Sequence, residues 1–161
     1  MKLIIKNKLV SLRGNSIIKD EQGNNKYKVK GKLFSITHKK RIYDLDNKLL
    51  FTVRNKYWKF IVNSAYIFDS EGNKIARLKQ LWGFKSRYEF IGYEDDIKVE
   101  GNWIGWNLSI KRNGVEIGTI QRNIDWVDSF VLSCDEIDAP LLVAIVIAID
   151  NIQDKNIADN D

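Results

Sequence analysis

Four lysines stand at every second position of Lys26-Tyr27-Lys28-Val29-Lys30-Gly31-Lys32, and three more cations follow as Lys39-Lys40-Arg41. Lysine offers a point charge to a phosphate and arginine a planar fork, so this stretch carries the chemistry for holding an anion. Alternation places Lys26, Lys28, Lys30 and Lys32 on one side of an extended strand, ~6.6 Å apart, with Tyr27 and Val29 on the other. Lys26, Lys28, Lys30, Lys32, Lys39, Lys40 and Arg41 are therefore the candidate anion- or lipid-binding residues.

Other reactive side chains are few. His38 has no carboxylate or nucleophile beside it in the sequence, so it reads as a turn or surface histidine rather than a general base. Cys134 lies between Ser133 and Asp135-Glu136. Neighbouring carboxylates raise a thiol's pKa, the wrong direction for a nucleophile. Asp69-Ser70-Glu71-Gly72-Asn73 and Asp44-Leu45-Asp46-Asn47 offer oxygens of the kind calcium takes, but neither has EF-hand spacing, and both read as hairpin turns. One cysteine and one histidine exclude a closed zinc site built from Cys and His. A Walker phosphate loop, a nucleophile elbow and a dinucleotide glycine fingerprint are all missing, so no cofactor and no catalytic residue are expected. Trp58, Trp82, Trp103, Trp106 and Trp126 lie near cations and could stack bases or enter a lipid interface. They read more simply as residues sealing the seams of a small barrel.

These side chains belong to a chain of 161 residues, 44% hydrophobic and 29% charged. That supplies the core of one ordinary domain, expected over residues 1–152, and excludes a disordered or low-complexity polymer. No apolar run reaches the length of a membrane span, and MKLIIKNKLVSL is too short and too charged for a signal peptide. A soluble cytoplasmic protein, at most peripheral to a membrane, is the expectation. The net charge of +5 is unevenly spread: residues 1–60 hold 16 Lys and Arg against 4 Asp and Glu, residues 61–161 hold 10 against 17. Such asymmetry suits an anionic partner, although solvated surfaces also carry it.

The elements that position these residues are mostly strands. Apolar runs starting near residues 17, 42, 67, 91 and 110 each meet a polar turn and return as a second apolar run. β-Branched and aromatic residues at period two, joined by Asp, Asn and Gly, are the mark of β-hairpins, and Asn113-Gly114 suits a type I′ turn. From Asp138 the pattern changes. Asp138-Ala139-Pro140 starts a helix well, with the carboxylate placed to cap free amides. From Leu141 to Ile149 nothing is polar, so no face is left for water. A helix apolar all round must be buried on all sides, and residues 139–152 span about 20 Å, too short for a bilayer. The implied architecture is mainly β: a closed antiparallel barrel around a central, buried, hydrophobic C-terminal helix, with residues 153–161 as a polar tail.

This run of hairpins with acidic turns, closed by Pro140 to Ile152, resembles the LURP-one-related family of the tubby C-terminal-like and phospholipid scramblase superfamily. Ile67-Phe68-Asp69-Ser70-Glu71-Gly72-Asn73-Lys74-Ile75 and Pro140 to Ile152 carry the resemblance. It implies a barrel of about 12 strands enclosing the helix, and neither stretch is a catalytic motif. Tubby domains of the superfamily bind phosphoinositides through basic residues on the barrel wall, which makes anionic membrane headgroups the expected ligand here. A protein partner is the other expectation, ahead of nucleic acid on the same basic surface. The chain lacks a membrane-spanning tail and a convincing calcium loop, so the resemblance does not extend to lipid scrambling. A non-enzymatic binding or scaffold domain follows, with a hydrolase using turn carboxylates such as Asp95 and Asp96 as the alternative.

Overall fold

The structure, a computed structural model, describes residues 1–6, 15–31, 38–56, 64–81, 86–102, 107–122 and 129–158. Twelve strands precede one helix: β1 (Lys2–Lys6), β2 (Asn15–Asp20), β3 (Asn25–Gly31), β4 (Lys40–Tyr43), β5 (Leu49–Asn55), β6 (Ser64–Phe68), β7 (Lys74–Leu81), β8 (Ser86–Ile91), β9 (Ile97–Asn102), β10 (Asn107–Arg112), β11 (Val115–Arg122), β12 (Ser129–Cys134) and α1 (Ala139–Ala158). Each strand pairs with its neighbours in chain order, and β1 closes the barrel on β12 over Lys2 to Lys6. The expected closed barrel with its helix is the fold observed.

Local chemistry explains the hairpins. Asp20 and Asp69 build the same turn: the carboxylate Oδ1 accepts the amides two and four residues on, and Oδ2 accepts the Asn24 or Asn73 side chain. Those bonds spend both oxygens of Asp69 on the turn, the use that its sequence suggested over calcium. The hydrogen bond from the Asn73 side chain, above all, holds the Asp69 carboxyl below its usual range. At Asp20 desolvation pushes the other way, and the bonds from Asn24 and Gln22 outweigh it. Asn113 and Gly114 take φ of 52° and 82°, the two left-handed residues that a type I′ turn needs. A bulge follows Ile18, Ile42, Ile67 and Ile110 in their ladders, just ahead of the turn in each hairpin.

The core lies between the inner strand face and α1. Leu142 to Ile149 are buried without exception, as are Leu3, Ile42, Val53, Ile67 and Leu132 on the wall. Removing each such side chain from water contributes about 1.5–3 kcal/mol. A Cβ on Gly118 of β11 would stand 2.7 Å from Leu142 Cδ1, so a bare backbone is what lets the helix approach there.

Two expectations about α1 change. The helix continues to Ala158 rather than stopping at residue 152. Gln153, just past the apolar run, donates to the Tyr88 hydroxyl at 2.8 Å. Asp138 does not cap with its carboxylate. Its backbone carbonyl accepts the Leu142 amide, while Oδ1 takes a 2.7 Å hydrogen bond from Arg112. A guanidinium in reach is a stronger partner than a free amide, and it ties the helix start to β10.

Candidate anion-binding surface

Buried Tyr27 and Val29 fix the inner side of β3, so Lys26, Lys28 and Lys30 point outward together, as their spacing implied. The three are not equivalent. Lys26 Nζ lies 4.0 Å from Glu136. Lys28 Nζ donates to the Leu45 carbonyl at 2.8 Å and to Asn47 Oδ1 at 3.0 Å, so it fastens the turn between β4 and β5. Lys30 Nζ stands 4.9 Å above the ring centre of Tyr43, and its register partner on β4 is the exposed Arg41. Lys39 is half-buried just before β4. Lys32 and the five tryptophans lie outside the described residues.

Lys40 is the correction. It faces the barrel interior, 3% exposed, and its Nζ makes a 3.0 Å ion pair with Asp150 of α1. Alternation forces this: Arg41 is outside and Ile42 inside, so the residue before Arg41 must turn inward. Around the pair, Asn55 Nδ2 donates to the Asn151 carbonyl and Asn151 Nδ2 to the His38 carbonyl, both at 2.9 Å. The backbone carbonyl of His38, a residue at φ 46°, is thus part of this layer.

The basic surface runs across strands rather than along β3. Lys30 faces Arg41, Arg41 faces Thr52, and Thr52 faces Phe68. In the adjacent outward row, Arg54 faces Tyr66, which faces Arg77, and beyond it Ser64 faces Lys79. The Arg54 guanidinium lies 4.7 Å from the Phe68 ring centre, and Lys74 Nζ lies 5.3 Å from that of Tyr66. Arg77 donates to Ser64 Oγ at 2.9 and 3.2 Å. Arg54, Lys74, Arg77 and Lys79 escaped the sequence reading. Their signal was present, since β3 to β7 contain no Asp or Glu at all.

The strands of this wall carry no carboxylate, whereas β8, β9 and β11 carry Glu89, Glu100 and Glu116. On the β8–β11 side, Lys98 pairs with Asp96 at 3.1 Å, Lys111 with Glu100 at 3.9 Å, and Arg112 with Asp138 at 2.7 Å. Arg112 Nε also lies 3.3 Å from Asp95 but makes no hydrogen bond, so that contact is Coulombic. Among the described residues, Lys30, Arg41, Arg54, Lys74, Arg77 and Lys79 have no carboxylate within 4 Å. Uncompensated cations on one face produce a positive potential that concentrates anions.

The carboxylates proposed for hydrolysis are engaged elsewhere. Asp95 accepts from the Asn113 side chain at 3.0 Å, and Asp96 is exposed beside Lys98. Cys134 is buried, and burial, more than the nearby Asp138 and Asp135, pushes its thiol up to about 11. Among the described residues no helix is long and apolar enough to cross a membrane.

A profile of LURP-one-related proteins matches residues 1–150. An X-ray structure of a protein from Arabidopsis thaliana superposes with a TM-score of 0.63 at 17% sequence identity, covering 96% of this chain and 91% of that one. At that identity the likeness concerns the fold. No curated protein matches the sequence.

Proposed function

Because the chain belongs to the LURP-one-related family, a barrel-and-helix fold without a catalytic motif in the stretches that carry the likeness, we propose that it is a non-enzymatic binding domain for anionic phospholipid headgroups. The observation that carries this reading is the β3–β7 wall, where Lys30, Arg41, Arg54, Lys74 and Arg77 have no carboxylate within 4 Å or opposite them in register among the described residues, while Lys79 faces Glu89. A cation near an anionic bilayer contributes about 1 kcal/mol, so several on one wall give weak, salt-sensitive association.

The described aromatic residues of this wall favour headgroups over single-stranded nucleic acid. Base stacking needs an open ring face. Tyr43, Phe68 and Tyr66 each have a face occupied by a cation of the same wall, Lys30, Arg54 and Lys74 respectively.

Sedimentation with vesicles containing anionic lipid tests the reading. The unmodified protein should co-sediment at low salt and dissociate as salt rises. Arg41→Glu with Arg54→Glu should lower the affinity more than about tenfold, because two attractions become repulsions. Binding to a single-stranded oligonucleotide should stay negligible throughout. Failure of the unmodified protein to bind anionic vesicles at low salt would end the headgroup reading.

A further inference from the structure

Lys30 and Arg41 are register partners on β3 and β4, both exposed, with like charges directly opposed. Such a pair repels across a ladder and is ordinarily avoided or shielded by a carboxylate. Here every described neighbour on the row lacks one: Asn15 lies beyond Lys30 on β2, and Thr52 and Phe68 lie beyond Arg41. A third cation joins the row, because the Arg54 guanidinium rests over Phe68, the partner of Thr52. Stacking on Tyr43 and Phe68 limits where Lys30 and Arg54 can go, so their charges are placed before any ligand arrives.

We propose that Lys30 and Arg41, flanked by Arg54, form the seat for one phosphate monoester group on this wall. The inference rests on the headgroup reading above and narrows it to a chemical class. A monoester carries close to two negative charges near neutral pH and presents three acceptor oxygens, whereas a phosphodiester carries one charge. Two opposed cations are neutralised by the former and left half-compensated by the latter. The planar fork of Arg41 can take two of the monoester oxygens while Lys30 serves as a point charge on the third.

The experiment compares vesicles containing phosphatidic acid, a monoester, with vesicles containing phosphatidylglycerol, a diester, matched for surface potential. The unmodified protein should prefer phosphatidic acid by roughly fivefold, the effect of about one further charge contact. Lys30→Gln with Arg41→Gln should erase that preference. Lys74→Gln with Lys79→Gln, which removes equal charge from the same wall, should weaken binding to both lipids and keep the ratio. Unchanged circular dichroism and melting would verify the fold of each variant. Soluble glycerol 3-phosphate as competitor separates the two sources of the group: displacement from the vesicle supports recognition of the free ester, and persistence supports the ester within a bilayer. Equal binding of both vesicles by the unmodified protein, or a preference that survives Lys30→Gln with Arg41→Gln, overturns the seat while leaving the basic-wall reading intact. Binding of neither vesicle overturns both.

Discussion

Ile145→Asp should cost about 4 kcal/mol or more and leave the protein unfolded, or nearly so, at room temperature. Ile145 is 0% exposed, at the middle of the apolar run of α1, where every residue from Leu142 to Ile149 is buried. A carboxylate placed there is cut off from water, and the cost of burying it takes up much or all of the roughly 5–15 kcal/mol by which domains are stable. Ile145→Val, which keeps the shape and loses one methylene, should cost only about 1 kcal/mol. Urea denaturation followed by circular dichroism reads both. An aspartate variant as stable as the unmodified protein would mean that the helix does not occupy the barrel.

The second large effect concerns the buried ion pair. Lys40→Met should destabilise by about 3–5 kcal/mol, because Asp150 would be left in the core without its partner. The double change, Lys40→Met with Asp150→Leu, should recover most of that loss, since a well-packed apolar pair often matches a buried salt bridge. A double-mutant cycle by urea denaturation measures the coupling. Near-additive losses would show that Lys40 and Asp150 do not depend on each other. The pair marks a definite depth and rotation of α1, because Asn55 and Asn151 hydrogen-bond beside it in the same layer.

Much of this was legible in the sequence. The hairpins could be read because turn chemistry is local: Asp69 and Asn73 lie four residues apart and bond each other. The central helix could be read because Leu141 to Ile149 leave water no side to occupy. Lys40 could not be placed by the same means. It sits between two other cations, so nothing in Lys39-Lys40-Arg41 marks which one turns inward, and its partner is 110 positions away. Asp150-Asn151, interrupting an apolar helix, was the visible trace of that partner. The basic surface was misjudged in extent for a related reason. Alternation gives the face of one strand, but Arg41, Arg54 and Arg77 join Lys30 on one wall only once the order β3-β4-β5-β6-β7 is known. Asp138 fits a capping pattern by type and position, yet Arg112 across the barrel rim takes its carboxylate.

Closure of the strand ladder has a consequence for how this domain meets anything else. In an open sheet the outermost strands present a row of free amides and carbonyls, and a foreign segment can add to them as one more strand. Among the described residues each strand already has a neighbour on both sides. The described strands therefore offer no free edge to recruitment by main-chain addition, or to the edge-to-edge aggregation that shares its chemistry. On this wall, recognition falls to side chains standing on the outer surface, where specificity can change residue by residue without disturbing the ladder beneath.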